Sequence, residues 1–546
     1  MKQILFPPFL LLLLSSCFFL FFSQSLATSL TNNEHNQEGD MDWWCETTPH
    51  PEPCKHLMIQ KSHQFKNPKH KADFRRICVE LALDQAMKSQ GDTKNLGPHC
   101  HSKKRLLAWR DCDKLVDDTI FQLNSTLEGI LASNNTSFSY VDAQSWLSAA
   151  LTNIETCRSC SIEMNVSDFI SPIVSRSNLT QLLSNTLALY GVLQEEYNEE
   201  KEKGNDDDEF PSWFMERDRR LLETSSIHSQ ANVVVAKDGS GHFKSIQAAI
   251  NYAVSKRAKN QRVIVYIKRG VYSENIAITN TMTKVMLVGD GLRYTIITGS
   301  RSVSSGFTTY SSATIGVDGV GFIARGITFQ NTAGPQSGQA VALRSASDLS
   351  VYYACAFEGY QDTLFVHAQR QFYKTCHIYG TIDFIFGNAA VVFQNCVIFV
   401  RKPLHGQVNV ITAQGRGDPY QNTGISIHNS IITAATDLKP VYKSFATYLG
   451  RPWQQYSRTI IMKTYIDSLV NQAGWLRWLN TDFALDTLYY GEYKNFGPSG
   501  STRNRVKWPG YHVITSANVA SRFTVGNLIA GKAWLPSTGV PFIAGL

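Results

Sequence analysis

Two aspartates, Asp362 and Asp383, stand out because they lie 21 residues apart in a part of the chain that is poor in acids. Like charges held close together push one pKa up, so one carboxyl group can act as an acid while the other stays ionised. The amides of Gln339 and Gln361 could donate hydrogen bonds to an oxyanion, and Arg451 could orient a carboxylate. A single aspartate is more often a turn or cap residue, and only the grouping predicts a catalytic site.

Trp453 follows closely in an Arg-Pro-Trp sequence, and its ring could stack on a sugar. The sequence lacks H-E-x-x-H, G-x-S-x-G and G-x-x-x-x-G-K-[ST], so it does not support a zinc protease, a serine hydrolase or a P-loop enzyme. The histidines of this region show no paired spacing typical of metal ligands; they are His367, His377, His405 and His428. We therefore expect no metal and no cofactor.

A repeat with a period of roughly 20–22 residues runs through the same region. The intervals between Cys355, Cys376 and Cys396 are 21 and 20, and those between Gln339, Gln361 and Asp383 are both 22. This period predicts the coils of a parallel β-helix, whose interior is buried only when coils stack. Coils about 4.8 Å apart would bring Cys376 and Cys396 within reach of a disulfide bond, and we expect one there.

Gln361 and Asp362 would face opposite sides of a flat strand, so a turn or bulge must lie between them.

Hydrophobic periodicity divides the chain into a helical and a β part. From residue 71 to about residue 200, apolar residues recur at spacings of three and four, which predicts a bundle of amphipathic helices. From residue 232, short β-branched and aromatic runs alternate with Gly, Asn and Asp turns, which leaves a pair of sandwiches, a propeller or a β-solenoid. Because the repeat favours the solenoid, we expect an N-terminal all-α helical bundle followed by an all-β parallel β-helix.

Charge divides the chain at the same place. The net charge is +7, but residues 225–546 hold 30 Lys and Arg against 14 Asp and Glu, so they carry +16 and the rest of the chain carries −9. The acidic run "EEYNEEKEKGNDDDE" cannot bury a core, which predicts a solvated linker over residues 195–224. Arg219 and Arg220 lie in this exposed linker, where proteases cut most easily, and we expect a processing site there rather than a plain basic turn.

The N-terminus predicts export. Residues 4–22 are almost wholly apolar, and small residues at Ser25 and Ala27 match a cleavage site, so residues 1–27 are expected to be a signal peptide. A signal anchor is the alternative, but prolines and serines interrupt the apolar run. Glycosylation sequons occur only in the acidic half, at Asn124, Asn134, Asn135, Asn165 and Asn178.

Five ordered blocks of the β part resemble the plant pectin methylesterases (pectinesterases) that carry an N-terminal inhibitor-like pro-region. The blocks are "GVYSE", "QAVALR", "GYQDTL", "DFIFGNAAVVF" and "LGRPW". In the acidic half, "CETTPHPEPC" and the pair Cys112 and Cys157 resemble the family's two disulfide positions, and "RRLL" resembles its processing motif. The resemblance gives residues 28–194 as the pro-region and residues 225–546 as the enzyme. It leaves open the partners of Cys78, Cys100 and Cys160.

The resemblance implies a right-handed parallel β-helix that hydrolyses methyl esters of polygalacturonate and releases methanol. It implies that Asp383 is the nucleophile. Asp362 would be the acid that protonates methanol and then the base that activates water. Gln361 and Gln339 would stabilise the tetrahedral oxyanion.

The resemblance also implies that Arg451 holds Asp383 ionised and that Trp453 and Thr309 contact substrate. Phe365 stands where a tyrosine is usual in the family, which we expect to affect packing at most. The implied partners are methyl-esterified homogalacturonan (pectin), a processing protease and a proteinaceous pectinesterase inhibitor, with no nucleic acid and no membrane once the signal is removed. The implied location is the extracellular cell wall, the apoplast, and no metal is implied.

Two other classes of function fit parts of the sequence. A polysaccharide lyase would need calcium-binding acids and a basic residue, and a glycosidase would need paired acids flanking the bond. Chain products and sensitivity to a chelator would favour either of them over an esterase. A non-enzymatic protein, with an inhibitory bundle and an inert carbohydrate-binding β-helix, would not need the Asp pair, both glutamines and Arg451. The pro-region could inhibit the enzyme before processing or only assist folding and transit.

Overall fold

The computed structural model describes both the helical part and the β part of the chain. The described ranges are residues 41–61, 63, 68–132, 139–170, 178–203, 227–258 and 260–546. The predicted signal peptide and the predicted processing site at Arg219 and Arg220 lie outside these ranges. Of the helices within them, none has both the length and the apolar composition needed to cross a membrane.

The N-terminal part is a bundle of helices, as the apolar spacing predicted. Its helices are α1 (Met41–Glu46), α2 (Pro51–Gln60), α3 (Lys71–Leu96), α4 (Lys103–Leu131), α5 (Tyr140–Glu163) and α6 (Leu179–Lys203). Ser102 caps α4 by accepting a hydrogen bond from the Arg105 N–H at 3.2 Å, and Ser139 and Asp142 form a capping box on α5. Because α6 continues to Lys203, residues 195–203 of the predicted linker are helical.

Two disulfide bonds connect helices of the bundle. Cys45–Cys54 joins α1 to α2 with Cα atoms 5.6 Å apart, and Cys112–Cys157 joins α4 to α5 with Cα atoms 4.6 Å apart. Both bonds agree with the pairing that the family resemblance implies. The other described cysteines of the bundle are free thiols: Cys78, Cys100 and Cys160.

The β part is a parallel β-helix whose strands lie in three sheets of the described structure. The eleven-stranded sheet contains β1 (Val233–Val235), β2 (Val263–Ile267), β5 (Val285–Gly289), β8 (Ile323–Arg325), β11 (Ser350–Tyr353), β14 (Arg370–Lys374), β17 (Ala390–Gln394), β20 (Gly424–His428), β23 (Arg458–Met462), β25 (Tyr489–Tyr493) and β26 (Tyr511–Val513). The seven-stranded sheet contains β4 (Ile276–Ile278), β7 (Ile315–Val317), β10 (Leu343–Ser345), β13 (Leu364–Val366), β16 (Ile385–Gly387), β19 (Asn409–Gln414) and β22 (Thr447–Gly450). The eight-stranded sheet contains β3 (Gly270–Ser273), β6 (Thr295–Gly299), β9 (Thr328–Asn331), β12 (Ala356–Glu358), β15 (His377–Gly380), β18 (Val397–Val400), β21 (Ile431–Ala434) and β24 (Tyr465–Ile466).

Short helices cover an end and a face of the β-helix. Helix α7 (Ile246–Lys256) packs its buried apolar residues against the first coils. Helices α8 (Ala517–Ser521) and α9 (Val525–Leu528) lie near the C-terminus, where apolar residues pack on the outer face of the eleven-stranded sheet. Strands of that sheet are therefore buried on both faces, which explains their continuous apolar runs.

The hydrogen-bonded register beside the acid pair repeats at the same interval that separates the two aspartates. Leu343 pairs with Leu364, and Leu364 pairs with Ile385. Asp362 precedes β13 by two residues and Asp383 precedes β16 by two residues. The two aspartates therefore occupy equivalent positions on adjacent coils, as their spacing predicted.

The wider spacing of the glutamines does not follow this register. The residue one coil before Gln361 is Ala340, whose N–H donates to the Gln361 carbonyl at 3.2 Å. Gln339, Gln361 and Asp383 therefore shift by one position from coil to coil and do not form a column. The expected change of direction after Gln361 is present, because this residue lies in a turn and Asp362 has a φ of +60°.

The cysteines of the β-helix align on successive coils but stay reduced. Strands β12, β15 and β18 pair in register, which places Cys355, Cys376 and Cys396 one above the other. The disulfide expected between Cys376 and Cys396 is not formed, since both are free, buried thiols. Side chains at equivalent positions of parallel strands point the same way rather than toward each other. Each thiol instead contacts a backbone carbonyl: Cys376 that of Tyr352 at 3.3 Å, and Cys396 that of Tyr373 at 3.5 Å.

Candidate active site

The acid pair lies where two adjacent coils enter the seven-stranded sheet. Asp362 and Asp383 have φ values of +60° and +50°, which turn the chain between the eight-stranded and the seven-stranded sheet. Aspartate adopts this left-handed conformation more readily than most residues because its short side chain can hydrogen-bond locally. Both residues are buried, with exposed fractions of 8% and 7%. The turn thus places two carboxyl groups side by side at one edge of the sheet.

Arg451 binds only one of the two aspartates. It follows β22, and its Nε donates to Asp383 Oδ1 at 2.9 Å while its Nη2 donates to Oδ2 at 2.5 Å. The guanidinium carbon also lies 4.7 Å from the ring centre of Trp478, so the arginine is held between a carboxylate and an aromatic face. Within the described ranges, Asp362 has no such ion-pair partner.

The two carboxyl groups therefore differ in protonation. Burial raises the pKa of Asp362 well above its ordinary value, and the charges of Asp383 and Glu163 raise it further, against a smaller opposing effect of Arg451. Burial also raises the pKa of Asp383, but the hydrogen bonds and the charge of Arg451 oppose this effect. The site consequently favours a proton on Asp362 and a negative charge on Asp383. Among the described residues, no group of three or more His, Cys, Asp or Glu side chains could hold a metal ion.

The two glutamines lie next to the acid pair with unused amide groups. Gln361 directly precedes Asp362, and the Gln339 carbonyl accepts a hydrogen bond from the Val303 N–H at 3.0 Å. Both side chains are half-buried, and neither amide group bonds to another residue in the described structure. Their N–H groups can therefore donate to a molecule bound at the acid pair.

An aromatic wall borders the site. The rings of Phe365 and Phe386 stack with centres 4.3 Å apart, and both meet Trp453 edge-on at 6.4 and 6.0 Å. Phe365 and Trp453 line a cavity of about 370 Å³ between the bundle and the seven-stranded sheet. Phe365 thus packs against Phe386 and Trp453 and lines this cavity, and the expectation that it affects packing at most stays a prediction.

A carboxylate of the bundle reaches the opposite side of the site. Glu163, the last residue of α5, accepts hydrogen bonds from Thr309 N–H at 2.9 Å and from Thr309 Oγ1 at 2.6 Å. It lies close enough to Asp362 for its charge to raise the pKa of that residue. Thr309 is the residue expected to contact substrate, and a carboxylate of the bundle binds it. Glu163 could not be found from the sequence, because helical periodicity does not indicate which residue meets another domain.

Ion pairs hold the bundle on the β-helix. Asp142 of α5 pairs with Arg370 at 2.7 Å, and Lys114 of α4 pairs with Asp318 at 3.0 Å. Acids and bases thus cross the interface in both directions. The first pair holds α5 on the β-helix, and the second holds α4.

Comparison with known proteins covers both parts of the chain. The Pectinesterase family model matches residues 232–532, and the Plant invertase/pectin methylesterase inhibitor model matches residues 40–189. "Probable pectinesterase/pectinesterase inhibitor 33" of Arabidopsis thaliana is 56% identical over 521 residues, which is 94% of this chain and 87% of that protein. Pectinesterase 2 of Citrus sinensis is 53% identical over 503 residues, which is 92% of this chain and 94% of that protein.

The solved structure of pectin methylesterase from carrot is 53% identical, with a TM-score of 0.57, and covers 58% of this chain and 98% of the carrot chain. The matched share of this chain, little more than half, is close to the length of the β part. The two relatives named above each span more than nine tenths of this chain, and one family model spans more than half of it. The chain therefore belongs to the pectinesterase family of carboxylic ester hydrolases, as a member that carries an inhibitor domain before the enzyme.

Proposed function

We propose that this chain hydrolyses the methyl esters of polygalacturonate in pectin, releasing methanol and leaving free carboxylates. The observation that carries the proposal is the buried pair Asp362 and Asp383, of which only Asp383 is bound by Arg451. Such a pair supplies a nucleophile and a proton donor at one place. The relatives named as pectinesterases support the choice of substrate.

In the first step, a carboxylate oxygen of Asp383 attacks the ester carbonyl carbon, and the carbonyl electron pair moves onto its oxygen. The amides of Gln361 and Gln339 donate hydrogen bonds to this oxyanion. When the oxyanion collapses, the bond to the methoxy group breaks and Asp362 donates its proton. Methanol leaves, and an anhydride joins the galacturonate to Asp383.

In the second step, Asp362 is ionised and takes a proton from water. The water oxygen attacks the acyl carbon, and the bond to Asp383 breaks. The product leaves as a galacturonic acid group, which loses its remaining proton to solvent to give the carboxylate, and Asp362 is again protonated. Arg451 stabilises Asp383 each time it carries charge, first as nucleophile and then as leaving group.

Thr309 and Trp453 bind the pectin chain in this proposal. Thr309 binds the Glu163 carboxylate through its N–H and its hydroxyl, and it can bind a galacturonate carboxylate in the same way. The Trp453 ring lies two residues after Arg451, borders the cavity and offers an apolar face to a sugar ring. The two residues would hold neighbouring units of the chain while one ester lies at Asp383.

The catalytic roles are tested with residues 225–546 expressed alone. Asp383→Asn and Asp362→Asn should each lower the rate of methanol release from methylated pectin by about three or more powers of ten. Asparagine also tolerates positive φ, so thermal unfolding should stay close to that of the parent protein. The control is Asp486→Asn, an exposed residue. Methanol release by Asp383→Asn at the parent rate would contradict the assignment.

The second part of the proposal is that the bundle keeps the site closed until the linker is cut at Arg219 or Arg220. Its support is that Glu163, at the end of α5, binds Thr309 and lies close enough to Asp362 for its charge to raise the pKa of that residue. A tethered domain has an effective concentration in the millimolar range, so even weak docking would cover the site much of the time. In this scheme residues 1–27 direct export, a protease cuts the linker, and the freed enzyme acts in the cell wall, where a separate inhibitor protein could use the same vacated face.

The restraint is tested by comparing the uncut precursor, made with Arg219→Gln and Arg220→Gln, with residues 225–546. The precursor should turn over methylated pectin far more slowly. Adding Glu163→Gln should raise its turnover by about tenfold, because hydrogen bonds to a charged acceptor are worth more than those to a neutral one. The matched control is Glu80→Gln on α3, which pairs with Arg76 within the bundle. Equal turnover by precursor and enzyme part would contradict the restraint.

A further inference from the structure

Helix α5 presents a row of hydroxyl groups to the far end of the seven-stranded sheet. Ser145, Ser148, Thr152 and Thr156 follow one another at helical spacings of three and four, so they lie on one face. The hydroxyls of Ser145, Thr152 and Thr156 donate within the helix, to carbonyls one turn earlier at 2.7–2.8 Å. Their oxygens therefore act as acceptors toward the β-helix.

The β-helix meets this row with hydrogen-bond donors. His367 Nε2 lies 2.8 Å from Thr156 Oγ1, and Asn388 Nδ2 donates to Thr152 Oγ1 at 2.9 Å. Gln421 Nε2 lies 3.3 Å from the same Thr152 oxygen. Since the Thr156 proton goes to a helix carbonyl, Nε2 is the protonated nitrogen of His367. The other ring nitrogen, Nδ1, is buried and has no partner in the described structure.

The amide donors are oriented by contacts inside the β-helix. Asn388 Oδ1 accepts from Gln414 Nε2 at 3.0 Å, and Gln421 Oε1 accepts from Asn388 Nδ2 at 3.1 Å. Both acceptor oxygens are thus used within the enzyme, which leaves N–H groups facing α5. Asn422 extends the row at its edge, where its Nδ2 donates to Ser145 Oγ at 3.4 Å. The donors exist independently of the pro-region and would face the groove once α5 leaves.

The donor row is continuous with the aromatic wall. His367, Asn388 and Gln421 line the same cavity of about 370 Å³ as Phe365 and Trp453. His367 lies five residues after Asp362 along the same coil, which is about 16 Å in an extended strand. The row is therefore beyond the reach of a single sugar bound at the acid pair, and only a longer chain could contact both.

We propose that His367, Asn388, Gln421 and Asn422 form a further polysaccharide-binding subsite that donates hydrogen bonds to the sugar hydroxyls of the polymer. Helix α5 occupies this subsite in the precursor by offering hydroxyl oxygens where the sugar would offer its own. The proposal rests on the proposed function, because it assigns the ligand as a polygalacturonate chain. It adds a site remote from the acid pair that distinguishes long from short substrates.

The test uses residues 225–546, which are close in extent to the part of this chain that the carrot structure covers. His367→Leu and Gln421→Met remove donors but keep volume, and they should raise KM for methylated pectin about five- to tenfold with kcat unchanged. Neither should change the hydrolysis of the shortest methyl-esterified oligogalacturonate that the parent enzyme accepts. His367→Gln keeps a donor and should restore much of the KM. The matched control is Gln330→Met, a half-buried glutamine on the eight-stranded sheet.

Asn422→Ala gives a second readout that leaves the buried network intact, and it should raise KM for the polymer at least about twofold. Unchanged KM for the polymer in His367→Leu and Asn422→Ala would overturn the subsite. Equal losses on long and short substrates would also overturn it, since they would indicate a general structural effect. Failure of the proposed function is distinguishable, because the parent enzyme would then release no methanol from either substrate.

Discussion

At the scale of single residues, one arginine separates the roles of two nearly equivalent aspartates. Asp362 and Asp383 share backbone conformation, burial and position on their coils. They differ in that Arg451 binds Asp383 at 2.5–2.9 Å, while the negative charges near Asp362 add to the effect of its desolvation. The contact of Arg451 with Asp383 alone therefore gives two similarly placed aspartates different roles, Asp362 as the acid and Asp383 as the nucleophile.

Replacing Arg451 should move the pH dependence of the enzyme. Arg451 opposes the rise in the pKa of Asp383, so its removal in Arg451→Gln should raise that pKa. Less Asp383 is then ionised at any acidic pH, and the acid limb of the kcat/KM profile of residues 225–546 should shift to higher pH. Arg451→Lys keeps the charge but not the bidentate geometry, so its shift should be smaller. A uniform loss of rate with an unmoved acid limb would contradict this role.

The residues that could be predicted are those whose spacing repeats with the coil. Asp362 and Asp383 lie one coil apart, and the family motifs indicated Arg451. Glu163 and His367 could not be predicted, because their roles depend on how one domain docks on another. A lone histidine gives no functional signal in the sequence. The contact of His367 with a hydroxyl of α5, 2.8 Å away, is visible only in the structure.

At the scale of elements, the β-helix stacks like residues into columns. Tyr352, Tyr373 and Phe393 form one column, with neighbouring ring centres 4.6 Å apart. The three cysteines of the β-helix form another. The repeat in the sequence predicted stacked coils and neighbouring cysteines, but it indicated no aromatic column, and the disulfide expected between Cys376 and Cys396 was wrong. The orientation of the side chains decides whether a disulfide can form, because side chains in a column point the same way rather than toward each other.

The stacked thiols should not react with thiol reagents in the folded protein. Burial raises the pKa of Cys355 to about 12, and it raises the pKa of Cys376 well above the ordinary value. Little thiolate is then available at Cys355 and Cys376, and all three thiols are buried, so a maleimide should label Cys355, Cys376 and Cys396 only after unfolding, even without a reductant. Mass spectrometry of native and denatured protein checks this. A peptide pair linked through Cys376 and Cys396 in the non-reduced protein would contradict the structure.

At the scale of the whole molecule, docking of the bundle buries carboxyl groups. Burial raises the pKa of Asp111 from 3.8 to about 6, and it also raises the pKa of Asp118 and of Glu163. Burial would also raise the pKa values of Asp318 and Asp348. Their ion pairs with Arg344 and Arg370 of the same β-helix outweigh this effect, so both pKa values are lowered. Both pairs lie within the β-helix, although Lys114 of the bundle also lowers the pKa of Asp318. Asp111, Asp118 and Glu163 are the bundle carboxyl groups whose pKa is raised, so they favour binding of protons in the docked form.

The bundle should therefore bind the enzyme more weakly as pH rises. Between about pH 4 and pH 6 the docked form keeps a proton on Asp111 that the separated form releases, so raising the pH favours separation. The inhibition constant of residues 28–194 added to residues 225–546 should increase over this range, by up to about a hundredfold. Asp111→Asn should flatten the dependence. Tighter inhibition at pH 6 than at pH 4 would contradict the argument.

Because the two acids lie on adjacent coils, the spacing of the coils determines the distance between their carboxyl groups. Equivalent side chains start about 4.8 Å apart on neighbouring coils and about twice that distance two coils apart. Acid pairs that attack a sugar carbon directly stand about 5–5.5 Å apart, whereas pairs that admit a water between them stand about 6.5–9.5 Å apart. Moving one carboxylate to the equivalent position of the next coil would therefore change the interval without changing the fold. The number of coils between two carboxylates thus sets their separation, which is the quantity that distinguishes these two reaction geometries.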